Sequence, residues 1–402
     1  MHALPDLTVV LADAQRRIAP RFARAEMRAR GCRYLAALLG RAERKNSWQL
    51  AEAMGEPTPH AVQELLNSAV WDADLVRDDL RAYVREHLAD PGGVLIIDET
   101  SFIKKGSHSV GVRTQYCGRL GRVDNCQVGV FLAYATRRGA AFIDRDLYLP
   151  SAWASDPDRR RRAGVPATVA FAPKPHLAQQ HLERAVTAGI APAWVLGDAV
   201  YGGDGKLRRW LEEHRQPYVL GVTSQEAIWG DWPEGAIQKR ADAVARALPP
   251  AAWRPITVAL GAKGPRTSDW ARVPTPCWLH LEPDAADAWE TWLLVRRSPS
   301  DPTDRAYYRV LAPTGTPLTA VAEAAGQRWA VEVGFEAAKQ EAGLADYQVR
   351  RWDGWYRHVT LALLAHAVLV VAQAAAHPPG PPPDDSEKGA ARRINHRCCC
   401  SP

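Results

Sequence analysis

The sequence has little of what marks several large protein classes. Cysteine is scarce: seven residues, an odd number, with no CxxC pair and one cluster at Cys398, Cys399 and Cys400. That spacing excludes a paired structural zinc site and gives no disulfide framework. Long hydrophobic runs are missing. The most apolar stretch, Leu361 to Ala376, contains His366 and Gln373 and falls short of the roughly 18 residues that a membrane span needs. The opening MHALPDLTVV has no basic segment followed by an apolar one, so no export signal is expected and a cytoplasmic location is. Neither GxSxG nor HExxH occurs. The GDGK at 203–206 is no phosphate loop, because Val200 stands where its first glycine belongs and Leu207 where Ser or Thr belongs. No residue pattern repeats along the chain. The twelve histidines are scattered, and none sits in a spacing that suggests a ligand set.

What is present is positive charge, unevenly placed. The net charge of +6 and a pI near 9.0 favour a polyanionic partner. From Arg16 to Lys45 there are ten Lys or Arg and only two acids, Glu26 and Glu43. Arg159 to Arg162 form a second cluster, in what we read as a loop after Pro150. Residues 1–90 show helical spacing and no strand pattern. A small helical module with a basic face suits contact with a duplex backbone; it would serve equally as a cap on the domain that follows.

From residue 91 the texture becomes strand-like. Val94–Asp98, Val110–Tyr116, Cys126–Tyr134 and Ala141–Leu149 read as a meander. Helices at His176–Ala188 and Leu207–His214 then alternate with strands at Ala193–Gly197 and Tyr218–Val222, which predicts a parallel α/β segment. Residues 226–315 hold seven tryptophans and runs of strand period at Ile256–Leu260, Trp278–Leu281, Trp292–Arg296 and Tyr307–Leu311, so a β-rich insertion is expected there. Residues 316–376 return to helix, and a Pro-rich tail occupies 377–402.

Two aspartates stand out in this frame. Asp98 and Asp198 are each the first polar residue after a buried strand, VLIID and AWVLGD. Ligands of open α/β sheets bind outside the carboxyl ends of strands, and two carboxylates meeting there repel unless a cation lies between them. Oxygen donors with open positions suit Mg²⁺ or Mn²⁺, and paired ions of this kind serve phosphodiester chemistry. Either aspartate alone is as readily a helix cap. A third acid is expected on the helix QRWAVEVGFEAAKQEAGL, where Arg328, Glu332 and Lys339 fall on one face at i, i+4 and i+11. Glu336 and Glu341 share that helix. Glu99 adjoins Asp98, but strand alternation points it away, which leaves it out of the triad.

These residues carry a resemblance. The chain resembles DDE-type transposases of bacterial insertion sequences, in the group numbered 701, related to group four. It does so over about residues 20–370, in ERKNSWQLAE (43–52), LIIDETSFIKKGSHSVGVRTQYCGRLGRVDNCQVGVF (95–131), LYLPSAW (147–153), VLGDAVYG (195–202), SDWARV (268–273), LLVRRS (293–298) and the stretch from Arg328 to Ala367. The resemblance implies a ribonuclease-H-like α/β core, with an N-terminal helical domain and a β-rich insertion. It implies Asp98, Asp198 and Glu332 as the catalytic, metal-holding acids. The related group carries Tyr-x2-Arg-x3-Glu-x6-Lys around the last acid; Arg328, Glu332 and Lys339 match it, and Ala325 departs from it at the Tyr position. Implied further are two Mg²⁺ or Mn²⁺ ions, cleavage of element ends in double-stranded DNA, transfer of the 3′-OH to target DNA, and a homodimer on paired ends. DNA contacts are expected from Arg328, Lys339, Lys104, Lys105, Arg113 and Arg350, with tryptophans of the insertion available to stack on unpaired bases. Two rival readings fit the same residues: a decayed or domesticated copy that binds DNA without cutting, and a structure-selective nuclease of the same fold.

Overall fold

The structure is a computed structural model and describes residues 7–118, 120–232, 235–261, 264–276 and 288–377. The Trp278–Leu281 strand, nearly all of the Pro-rich tail and the terminal cysteine triplet lie outside those residues.

Five helices open the chain: α1 (Leu7–Ile18), α2 (Ala25–Leu38), α3 (Ser47–Ala53), α4 (His60–Asn67) and α5 (Ala73–Leu88). Local chemistry sets their starts. The Asn46 side chain accepts from the backbone N–H groups of Trp48 and Gln49 to cap α3, and Asp72 does the same for Asp74 at α5. Among the described residues, half of the ten cations in the basic run of this region are paired with acids within the fold. Arg16 and Arg17 pair with Asp13, Arg21 with Asp79, Arg30 with Glu26 and Glu64, and Arg33 with Glu56.

Strands β1 (Val94–Ile103), β2 (Arg113–Cys117), β3 (Arg122–Thr136) and β4 (Gly139–Leu147) follow as a meander. The chain continues through α6 (Ser151–Ala154), α7 (Pro157–Ala163), α8 (Lys174–Thr187), β5 (Trp194–Gly197), α9 (Ala199–Gly202), α10 (Gly205–Glu213) and β6 (Tyr218–Val222). The arginine cluster is helical rather than a loop. Asp156 accepts from the N–H of Arg159 to start α7, and Gly164 ends it in the left-handed region at φ 70°.

The β-rich stretch does not build a large sheet of its own. Only β7 (Ala227–Trp232) and β8 (Gly235–Arg240) form a separate hairpin, followed by α11 (Ala241–Arg246). Strands β9 (Arg254–Gly261), β10 (Gly264–Thr275), β11 (Trp289–Arg297) and β12 (Arg305–Pro313) extend the central sheet instead, because β12 pairs antiparallel with β6. The sheet order is β2-β3-β1-β5-β6-β12-β11-β10-β9, with β4 also on β3. Among the described residues only β1–β5 and β5–β6 are parallel pairs, so the fold is a mixed α/β sheet flanked by helices. Trp270 and Trp292 are buried and Trp253 nearly so, so these three tryptophans pack the core and cannot stack on bases.

The chain ends in α12 (Leu318–Gln327), α13 (Trp329–Gln340) and α14 (Trp352–Ala376). At 25 residues, α14 is long and apolar enough to cross a membrane, yet 72% of its most apolar window is buried inside this molecule. A helix apolar on every side is expected at the centre of a large core. It packs on β4 and on α1, α2, α4 and α5, and one hydrophobic cluster runs from Ala14 through the sheet to Ala374.

Candidate active site

The local fold around Asp98 differs from a strand that simply stops. β1 continues to Ile103, paired with β3 over its whole length, and Asp98 lies opposite Phe131. The parallel neighbour is what ends: β5 pairs with β1 only from Val94↔Trp194 to Ile97↔Gly197. Asp98 is therefore the first β1 residue with no partner on that side. Asp198, one residue past Gly197, occupies the same level and turns the chain into α9 by accepting from the N–H of Val200 at 2.9 Å. A glycine makes the seating of α9 possible. A Cβ on Gly202 would meet the Gly221 carbonyl oxygen at 1.8 Å, so α9 can lie flat on β6 only with glycine there.

The third element is α13. Arg328 at its N-terminal end donates to Glu332 Oε1 at 3.1 Å and reaches Asp98 Oδ2 at 3.4 Å. Further along, Lys339 Nζ donates to Thr100 Oγ1 at 2.7 Å. Asp98 and Thr100 are two apart in β1 and so share the sheet face that α13 covers. Arg328 thus links Asp98 to Glu332, Asp198 lies level with Asp98 at the end of β5, and Lys339 meets β1 at Thr100.

The two aspartates are crowded out of water, whereas Glu332 is exposed. Asp98 is 9% exposed. Burial pushes its carboxyl up to about 7; nearby Asp198 adds to this, and Arg328 opposes it. Asp198 is also raised, by burial first and then by the charge of Glu99. Arg328 goes the other way: burial would lower it, but Asp98, Asp198 and Glu332 outweigh that and hold its proton more firmly. Oxygen-only donors whose charge is disfavoured in this way suit a hard divalent cation. They are not drawn into a ligand cage: among the described residues no three His, Cys, Asp or Glu side chains are grouped closely enough to hold an ion. The guanidinium of Arg328 bridges Asp98 and Glu332 instead.

Two contacts of Glu99 had no sequence signal. Glu99 points to the other sheet face, as alternation requires, and is held there by Lys174 Nζ at 2.5 Å and by the Tyr201 hydroxyl at 2.6 Å. It ties β1 to the start of α8 and to α9, the helix that follows Asp198. Tyr201 is buried, and burial together with the Glu99 charge raises its hydroxyl well above the ordinary range. Lys174 lies in a stretch that no motif marked. Glu336 is exposed and accepts from Gln340 on its own helix.

The remaining basic candidates are dispersed. Lys104 lies 3.5 Å from the Tyr347 ring centroid, and burial lowers its ammonium to about 8. Lys105 and Arg350 are exposed, and both line a cleft beside the N-terminal helices. Arg113 is exposed on β2, at the edge of the sheet.

Comparison with known proteins follows this geometry. Residues 17–273 match the family described as DDE superfamily endonuclease, a span that includes Asp98 and Asp198 and ends before Glu332. A protein of Microchaete diplosiphon described as a probable transposase for insertion sequence element IS701 is 27% identical over 188 residues, and the matched region spans 46% of each chain. A piggyBac transposase synaptic complex with hairpin DNA superposes with a TM-score of 0.47 at 10% identity, over 92% of this chain and 68% of that one.

Proposed function

The chain belongs to the DDE superfamily of endonucleases, and from that premise we propose that it is a DNA transposase. It cuts element ends and joins the freed 3′-OH to target DNA, on a ribonuclease-H-like core and as a homodimer on paired ends. One observation carries the reading: Asp98 and Asp198 lie side by side where the parallel β1–β5 pair ends, facing an arginine that also holds Glu332.

In this reading Asp98, Asp198 and Glu332 would hold two divalent ions, Mg²⁺ or Mn²⁺, once the bridging Arg328 gives way to them. Such ions, when bound, polarise a phosphodiester and activate water or a hydroxyl as nucleophile. The protein's own groups do the rest. β1 and β5 fix the two aspartates without a flexible loop between them. Arg328 and Lys339 offer cationic donors to phosphate oxygens around the reacting group. Lys105, Arg113 and Arg350 hold backbone phosphates farther out. Lys174 and Tyr201 hold Glu99 on the opposite sheet face, from where its charge still raises Asp198.

Manganese binding followed by electron paramagnetic resonance tests the metal assignment. Wild-type protein is expected to bind Mn²⁺, and Asp98→Asn and Asp198→Asn to bind it far more weakly while keeping the wild-type circular dichroism. Equal Mn²⁺ binding by all three proteins would remove the basis of the proposal.

A further inference from the structure

A cleft of about 940 Å³ opens between the N-terminal helices and the strap that joins α13 to α14. None of Asp98, Asp198 and Glu332 lines it, and most of its lining is polar, with one carboxylate, Asp346, which accepts from the Lys45 backbone N–H at 2.9 Å. Most arginines of the first 45 residues are consumed by ion pairs, as described above. Three cations on the cleft wall are different: Arg44, Lys105 and Arg350 are exposed and have no carboxylate partner among the described residues. They come from three separate segments of the chain.

The strap explains part of this convergence. Residues 347–350 belong to neither helix nor strand, and Tyr347 and Val349 are buried while Gln348 and Arg350 are exposed. The backbone is pinned to the core, since Val110 N–H donates to the Arg350 carbonyl at 2.9 Å and the Tyr347 hydroxyl donates to Gln127. With Tyr347 and Val349 buried, Gln348 and Arg350 both reach the cleft wall. Across the cleft, α4 presents Gln63, also exposed. Neither glutamine side chain has a hydrogen-bond partner among the described residues. A cleft that pairs free carboxamides with free cations has two chemistries on offer: fixed positive charge for phosphates, and paired donor and acceptor groups for the edges of bases.

We propose that this cleft is where the base sequence of duplex DNA is read, with Gln63 and Gln348 contacting base edges and Arg44, Lys105 and Arg350 fixing the flanking phosphates. The proposal rests on the transposase reading and deepens it by assigning sequence recognition to one place. Arginine and lysine on phosphates give affinity that is blind to sequence and falls with salt. Carboxamides bidentate to adenine give discrimination.

The test is selection from a pool of random-sequence duplexes by the full-length protein, followed by binding of the enriched duplex and of the unselected pool. Wild type is expected to enrich one sequence. Gln63→Ala and Gln348→Ala each reduce the preference for that sequence over the pool, by roughly 5- to 150-fold for a lost bidentate contact. Arg44→Ala and Arg350→Ala weaken binding to both duplexes alike and flatten the salt dependence by about one unit of slope each. Melting curves of the variants check the fold. If both glutamine variants enrich the wild-type sequence with undiminished preference, the proposal is overturned. Plasmid nicking by the same wild-type preparation separates the two failures. Nicking without any enriched sequence overturns the sequence-reading cleft and leaves the transposase reading standing, whereas neither nicking nor enrichment overturns both.

Discussion

Two adjacent acids in β1 do unlike things, and backbone alternation decides which does which. Asp98 faces α13 and its arginine; Glu99 faces α8 and α9 and is neutralised by Lys174. This division was legible from strand period alone, as was the spacing of Arg328, Glu332 and Lys339 on one helical face. The partners of Glu99 were not, because Lys174 and Tyr201 are 75 and 102 residues away and contact at that range leaves no local pattern. The raised carboxyl of Asp98 has a measurable consequence. A carboxyl whose folded value, about 7, lies above its unfolded value of 3.8 favours the fold below pH 4 and loses that contribution as pH rises through 7. The melting temperature of metal-free wild type should therefore fall relative to Asp98→Asn between about pH 4 and pH 8, and thermal scans across that range check it. A divalent ion should restore the wild type at pH 8 and have little effect on Asp98→Asn.

At the scale of elements, the strand and helix order of residues 94–222 could be read directly, since buried runs of Val, Leu and Ile alternate with helical spacing there. Three features could not. The length of β1 depends on β3, whose ladder carries it past Asp98. The helix at Arg159–Arg162 depends on caps at Asp156 and Gly164, which a run of like charges obscures. The joining of β12 to β6 depends on pairing across more than eighty residues. The seating of α9 on β6 gives a prediction of its own. Gly202→Ala puts a Cβ against the Gly221 carbonyl oxygen, and relief must come from moving α9 and with it Asp198. The expected cost is about 1–3 kcal/mol of stability, read by denaturant unfolding, with a loss of DNA cleavage larger than the stability change alone explains.

Across the whole molecule, the N-terminal helices and the sheet are not separable bodies in energetic terms. α14 lies between them, and a buried ion network bolts α5 to β4 and α8. Asp144 is fully buried and receives Arg81 at 2.7 Å and Arg184 at 2.8 Å. Burial works against its ionisation, but His181, Arg184 and Arg77 outweigh this and hold the carboxyl down to about 2. Asp144→Asn removes the one carboxylate that these guanidiniums share, leaving Arg81 with Asp78 and Arg184 with Asp146, and is expected to cost about 1–3 kcal/mol. Because the folded value lies below the unfolded 3.8, the stabilisation is present above pH 4 and lost as pH falls toward 2, so the gap between wild type and variant should close over that interval. Calorimetry should show one transition for helices and sheet together, and a separate early melting of residues 1–90 would contradict the shared core.

The central claim is that Asp98, Asp198 and Glu332 together cut DNA. Strand cleavage of duplexes bearing the element's own ends, with Mg²⁺, measures it most directly across Asp98→Asn, Asp198→Asn, Glu332→Gln and the control Glu336→Gln. Loss of about 100-fold or more is predicted for the first three, the scale of several kcal/mol of lost charge stabilisation, with near wild-type cleavage by the control. Full cleavage by the Asp98→Asn protein, or equal loss in the Glu336→Gln control, would contradict it.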